Sequence, residues 1–290
     1  MRFLKMMMIN KGVILLSKYN DWFKIKFMKN IFSLTAILFV TISSAQREKK
    51  EYYDTGELKS IIEYSDNGFP GDSKYYYKNG NLEKSGRLRG KYTLVGAKTY
   101  ISGEWKYYHE NGKLSAVGYF DENEKTGEWK EYNKNGLLIG SFNFDNNQRK
   151  TYYESGQVRQ EGSLINNKPH GECYVYYENG KLYAIQNFNN GKRNGLWKEY
   201  YENGNLKNEY NFESDKLDGL WTTYYEDGKL FTKREYAKDK LMNVLKLLNK
   251  NGGSLNIGTF RNGNGLLNVY TPEGKLEEQV KVKDGVFIQN

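Results

Sequence analysis

An all-β fold, an elongated array of stacked antiparallel β-hairpins, is predicted by three markers that recur in phase along the 290 residues. The first is a tyrosine pair, a turn ending in glycine, and then an aliphatic residue. It reads Tyr176-Tyr177-Glu178-Asn179-Gly180-Lys181-Leu182, and recurs at Tyr200 to Leu206 and Tyr224 to Leu230, 24 residues apart. The second, nine residues ahead of the turn glycine, is Gly-x-Trp: Gly103/Trp105, Gly127/Trp129, Gly195/Trp197 and Gly219/Trp221. The third is an aromatic about eight residues past that glycine: Phe120, Phe144, Phe188, Phe212, Tyr236 and Phe260. A fixed period of this length is the signature of one small unit stacked many times.

Residues 1–45 precede the pattern. Met28-Lys29-Asn30 opens an apolar run from Ile31 to Ile42, closed by Ser43-Ser44-Ala45-Gln46 with small residues where a signal peptidase cuts. That is the form of a secretory signal helix over 28–45. Its core is too short to span a bilayer, which needs about 20 residues. Residues 1–27 are expected to come from an upstream start, with Met28 as the true one. The mature chain is then expected to be exported, to the periplasm, outer envelope or medium, with no transmembrane span.

Residues 46–290 read as about ten hairpin units. In one of them, Trp197 to Tyr201 is rich in strand formers. Asn203-Gly204 is read as a two-residue turn with positive φ at both positions. Leu206 to Phe212 returns as the partner strand. That register sets Trp197 opposite Tyr210, Tyr201 opposite Leu206 and Phe212 opposite Gly195. Alternation then gives one face to Trp197, Glu199, Asn208 and Tyr210, and the other to Lys198, Tyr200, Lys207 and Glu209. A lone hairpin is marginal in water, so neighbours must share their aromatic faces.

The irregular units follow in order. The turn glycines Gly80 and Gly112 are 32 residues apart, which predicts a bulging loop around Arg87 to Tyr100. The 20-residue step from Gly136 to Gly156 lacks Gly-x-Trp and predicts a shortened link. Cys173, Ser73 and Leu267 stand in tryptophan slots. Leu248 to Gly252 has lost its tyrosines and Thr271-Pro272-Glu273-Gly274 is degenerate, as units capping an array commonly are.

The whole chain carries 44 basic and 35 acidic residues. The leader holds 7 basic residues and 1 acidic, leaving 37 against 34 and a net of +3, with lysine and glutamate interspersed. No nucleic-acid partner is expected from such a surface. The single cysteine, Cys173, excludes an intrachain disulfide and reads as a small core residue. His170 nearby has no orienting group specified for a Cys-His nucleophile, and His109 reads as a surface strand residue. Glu110, Glu154, Glu178, Glu202 and Glu226 read as solvated turn positions. No phosphate loop, nucleophile elbow or zinc spacing occurs. The expectation is a non-enzyme with no cofactor and no metal.

Tyrosine is the unusual commodity, with 26 copies. Tyr108, Tyr132, Tyr152, Tyr176, Tyr200 and Tyr224 are expected in rows on the face opposite the tryptophans. There they either form a contact surface for a protein or a cell-envelope glycan, or support the sheet through cross-strand pairs.

The units Gly-Leu-Trp-Lys-Glu-Tyr-Tyr-Glu-Asn-Gly-Asn-Leu (195–206) and Gly-Glu-Trp-Lys-Tyr-Tyr-His-Glu-Asn-Gly-Lys-Leu (103–114) resemble the MORN-repeat variant of bacteria, over about residues 50–276. Proteins of that kind carry the label of YwqK-family antitoxins. The resemblance implies β-hairpins stacked into an elongated sheet, with no catalytic motif to carry over. Read together with the leader, it implies a scaffold that binds another protein, such as a toxin met outside the cytoplasm. A cell-wall or carbohydrate module using the tyrosine rows is the alternative.

Overall fold

The computed structural model describes residues 47–288. The upstream segment and the signal helix therefore lie outside the described residues. Every described element is a strand, and eighteen of them, from Arg47–Tyr52 to Lys240–Leu247, form one sheet. Each strand pairs antiparallel with its sequence neighbours, so the sheet is a plain meander. One small departure is Leu182–Asn189, which pairs in succession with the two-residue strand Lys192–Arg193 and with Gly195–Tyr200. Among the described residues no helix is long and apolar enough to cross a membrane.

The register follows from aromatic pairing. Trp197 lies opposite Tyr210 and Gly195 opposite Phe212, as read from the sequence. The same glycine-to-aromatic pairing recurs as Gly103 with Phe120, Gly171 with Phe188 and Gly219 with Tyr236. The buried residues lie on the expected face: Trp197, Asn208, Tyr210 and Phe212 are all buried. Trp105, at 1% exposure, is the most deeply buried of the described tryptophans. Indole and phenyl rings stack edge-on along this face, with Phe120 and Trp129 at 5.0 Å and Trp197 and Phe212 at 5.2 Å between centroids. Such pairs add about 0.5–1.5 kcal/mol each beyond area burial.

The turns differ from the expected two-residue form. The Tyr201 carbonyl accepts from Gly204 N at 2.9 Å and Tyr201 N donates to the Asn205 carbonyl at 2.9 Å. The loop is therefore Glu202-Asn203-Gly204, a type I turn followed by a left-handed residue and a bulge. Only Gly204 takes positive φ, at 92°. Leu206 consequently pairs with Tyr200, not Tyr201, and the bulge absorbs Lys207. The asparagine is favoured for a different reason. Asn203 Oδ1 accepts from Asn205 N at 2.9 Å, closing the turn on itself, while Asn203 Nδ2 donates to the Glu226 carbonyl of the next turn at 2.9 Å. The side chain thus joins neighbouring units, which a glycine in its place would not do.

The insertion differs as well. Instead of a bulging loop, it prolongs a hairpin: Leu82–Thr93 and Gly96–Tyr108 stay paired out to Thr93 and Gly96, leaving Leu94-Val95 as the two-residue tip. Alternating Arg87-Leu88-Arg89 and Thr99-Tyr100-Ile101 is strand sequence, and pairing satisfies backbone groups that a loop would leave to water. The 20-residue step does contain a short link, residues 144–147, between Leu138–Asn143 and Gln148–Tyr152.

The C-terminal residues leave the meander. Gly265–Tyr270, Leu276–Lys283 and Val286–Ile288 form a separate three-stranded sheet. Leu241, Phe260, Leu267 and Val282 make a shared core between it and the last long hairpin. Leu267, in a tryptophan slot, supplies the smaller apolar group that this closing contact admits. Leu241 N donates to the Gly285 carbonyl at 3.1 Å, so the small sheet covers part of the end of the large one.

Candidate functional site

The second tyrosine of each pair has a task that its exposed neighbourhood in the sequence does not suggest. Tyr201 donates its hydroxyl to the Tyr224 carbonyl at 2.9 Å, Tyr177 to Tyr200 at 2.7 Å, and Tyr153 to Tyr176 at 2.7 Å, each 23 residues ahead. Tyr53 does the same to Tyr76, and Tyr77 reaches Tyr108 across the insertion, both at 2.7 Å. His109, expected as a plain surface residue, fills the same rung: its Nε2–H donates to the Tyr132 carbonyl at 2.9 Å. Tyr225 completes the series at the Leu248 carbonyl, 2.9 Å away. Each rung ties its hairpin to the next through the strand carbonyl ahead of the next turn. Asn133 interrupts the series. It is too short to reach, and its Oδ1 accepts from Asn135 N and Leu137 N instead.

The six candidate tyrosines Tyr108, Tyr132, Tyr152, Tyr176, Tyr200 and Tyr224 are each half-buried, not laid bare. Five of them, all but Tyr152, are the carbonyl acceptors of those rungs. Tyr176 donates to Glu161 Oε1 at 2.6 Å and Tyr224 to Glu209 Oε1 at 3.0 Å, and the Tyr152 hydroxyl lies 3.3 Å from Ser141 Oγ. Burial, and then the Glu161 carboxylate, push the Tyr176 phenol up to about 12. Among the described residues the Tyr108, Tyr132 and Tyr200 hydroxyls make no hydrogen bond to protein. The row holds the sheet through cross-strand contacts.

Cys173 is buried at 6% exposure, and burial pushes its thiol up, the reverse of what a nucleophile needs. Gln160 Nε2 donates to Cys173 Sγ at 2.8 Å. His170 lies on the adjoining turn of strand opposite Ser163, with its buried Nδ1 unpartnered.

The most protruding feature is the tip of the long hairpin. Leu94 and Val95 are 108% and 86% exposed and Tyr92 is 76% exposed, the highest values among the described large apolar side chains. This finger is braced on both sides. Phe69 packs edge-on against Tyr92 at 4.8 Å and lies over Gly90, where an added Cβ would sit 1.7 Å from the ring. Asn123 Oδ1 accepts from Ile101 N at 2.8 Å, and Asn123 N donates to the Ile101 carbonyl at 3.0 Å. Its charge is one-sided: Lys84, Arg87, Arg89, Lys91 and Lys98 fall between Glu83 and Glu104 with no acidic residue among them. Arg87 pairs with Asp72 at 3.9 Å and Lys91 with Glu122, both on neighbouring strands or turns. The sequence carried this signal, an apolar pair inside a cationic stretch, but a loop assignment hid its projection.

The family model described as MORN repeat variant matches residues 48–66, 70–87, 101–122, 146–166, 169–190, 193–214 and 217–238, together half of the chain. The hairpin at Glu124–Tyr132 and Leu138–Asn143 has the same pairing although no match covers it. No curated protein matches the chain. Among solved structures, it aligns with a crystal structure of TcdB2-TccC3-TEV at 11% identity, covering 81% of this chain and 17% of that one, TM-score 0.18. It aligns with a Tc holotoxin pore of Photorhabdus luminescens at 13% identity, covering 83% and 15%, TM-score 0.17. The chain thus spans less than a fifth of either relative, and likeness at these scores carries no argument.

Proposed function

The chain belongs to the MORN repeat variant family, and from that premise we propose that it is a non-enzymatic scaffold binding another protein through its hairpin finger. The single observation behind this reading is the exposed Tyr92, Leu94 and Val95 tip on a braced cationic shank. Burying the leucine and valine side chains in a partner's pocket would contribute about 3–6 kcal/mol. Of the five cations of residues 84–103, Arg87 and Lys91 are paired with Asp72 and Glu122, leaving Lys84, Arg89 and Lys98 as the cationic surplus of the shank. They favour a partner whose pocket is rimmed by carboxylates, and they speed encounter at low salt. Export through the leader, and neutralisation of a toxin met outside the cytoplasm, extend the reading. A glycan surface on the outer tyrosines is less favoured, since those rings are half-buried and several hydroxyls are engaged.

A photo-crosslinking residue in place of Leu94 tests the proposal in the native envelope. The expected result is one specific acidic protein, captured less at high salt and lost in the Leu94→Asp/Val95→Asp variant. Crosslinks to lipid alone, or a protein captured equally by the double variant, would overturn it.

A further inference from the structure

The aromatic spine of the sheet has one gap. On one side ring contacts run from Tyr75 and Trp105 through Phe120 and Trp129 to Phe144. On the other they run from Phe188 and Trp197 through Tyr210 and Trp221 to Tyr236. Between them two consecutive units lack the tryptophan. The position three residues before the first tyrosine holds Arg149 in one and Cys173 in the next.

The backbone there keeps the form of the tryptophan-bearing units. Gly86 and Gly118 lie beneath Trp105 and Trp129, where a Cβ would come within 2.3 Å of the indole. Gly162 holds the same position opposite Cys173, and the register slips just after it as it does after Gly86. In the two units with that glycine the indole N–H donates to the carbonyl of the residue after it, whereas Trp197 Nε1 reaches the Asn187 carbonyl at 2.9 Å and Trp221 Nε1 the Asn208 side chain at 3.2 Å. Trp105 Nε1 reaches the Arg87 carbonyl at 3.3 Å and Trp129 Nε1 the Tyr119 carbonyl at 3.0 Å. The counterpart in the gap is the Ser163 carbonyl.

A cavity of about 150 Å³ opens in this gap, lined by Gly162, Cys173, Leu164, Pro169, Ser163 and Thr151 among others. The Thr151 hydroxyl is buried without a hydrogen-bond partner. Arg149, Gln160 and Glu161 complete the lining, so the cavity is part apolar and part polar, as an indole with its single N–H is. We propose that this cavity is a binding site for an indole ring, which restores the missing element of the spine. The glycine floor accepts a flat ring, and the carbonyl past the bulge takes its N–H. A ring without that N–H leaves the acceptor unmatched and binds less well. The ring comes either from a free indole-type molecule or from a tryptophan side chain of a partner chain. Neither source depends on the finger.

Calorimetric titration of the full chain with indole, with indene, and with a short tryptophan-containing peptide tests this. Saturable one-to-one binding of indole is expected, at least tenfold tighter than indene. Cys173→Trp, which places the chain's own indole in the gap, is expected to weaken binding at least tenfold, while Cys173→Ala retains it. Gly162→Leu fills the same space from the opposite strand and replaces Cys173→Trp should that variant fail to fold. Tighter binding of the peptide assigns the ring to a partner, and tighter binding of free indole to a small molecule. No saturable binding of either source, or undiminished binding in the filled variants, would overturn the proposal.

Discussion

Alanine placed at two equivalent glycines separates the packed spine from its gap. Gly118 and Gly162 hold the same position in their units, and neither takes positive φ, so a methyl group meets no backbone strain. At Gly118 the new Cβ would lie 2.3 Å from Trp129 Cδ2. Trp129 has little room to yield: Phe120 abuts it at 5.0 Å, Phe144 at 6.4 Å, the Lys125 ammonium sits 4.0 Å over its ring, and Nε1 donates to the Tyr119 carbonyl at 3.0 Å. Overpacking of this kind costs about 1–3 kcal/mol. Loss of the indole hydrogen bond adds about 1 kcal/mol, and the better backbone propensity of alanine returns about 0.5–1 kcal/mol. The net for Gly118→Ala is about 1–3.5 kcal/mol of destabilisation, centred at about 2 kcal/mol. At Gly162 the Cβ would meet Cys173 Cα and Cβ at 3.2 Å and Sγ at 3.3 Å, a milder contact that the facing strand and its thiol relieve by shifting a few tenths of an ångström toward the cavity. Tightness and propensity then roughly cancel. Thermal unfolding followed by near-ultraviolet circular dichroism reads the difference, expected at about 5–10 °C for a chain of this length. Equal midpoints for the two variants would refute the assignment of a tryptophan-shaped gap at Cys173.

The remaining predictions concern the rungs and their titration. Tyr201→Phe and Tyr177→Phe each remove one hydroxyl-to-carbonyl bond between units and are expected to cost about 1 kcal/mol in urea denaturation; no change in either midpoint would remove the rungs from the account of stability. His109→Tyr is expected to fold with stability unchanged within about 0.5 kcal/mol, since the native residue of most units replaces a shorter group in the same role, whereas His109→Ala leaves the Tyr132 carbonyl without its donor and unfolds earlier. Raised phenols give the pH dependence its sign. Burial and Glu161 hold Tyr176 near 12 when folded against an ordinary value of 10.0, and burial with Glu199 pushes Tyr210 higher still. The unfolded chain therefore loses those protons first, so their contribution is intact below pH 10 and disappears as pH climbs toward 12. Denaturation midpoints measured across that window should fall, and fall less in Tyr176→Phe; a flat profile would contradict the assignment.

Much of the fold was legible because the repeat writes its own register. Trp197 opposite Tyr210 and Phe212 opposite Gly195 follow from the spacing of large and absent side chains, which must alternate between faces at a period of two. The turn geometry was not legible in the same way. Asn203-Gly204 suits either of two loop lengths, and the same three-residue loop also forms at Thr55-Gly56 and Ser155-Gly156, so the dipeptide alone does not settle the length; Asn203 Nδ2 then adds a bond to the Glu226 carbonyl. For the outer tyrosines the sequence left a contact surface and cross-strand support both open, because alternation says which face a ring occupies, not how much of it the neighbouring strands cover. Likewise nothing local marks Tyr201 or His109 as a rung, since the acceptor belongs to a residue 23 positions further on.

By itself, then, the sequence determined that this is an antiparallel array of hairpins, which faces its aromatic residues share, and where the pattern breaks. These are one-dimensional properties, set by periodicity and by the size of each side chain. Only the tertiary structure decided that the inserted residues rise as a braced finger, that the last residues close the array as a sheet of their own, and that Cys173 leaves an indole's space behind. Each of those depends on what a neighbouring unit does or does not fill, and such volumes exist only once the strands are stacked.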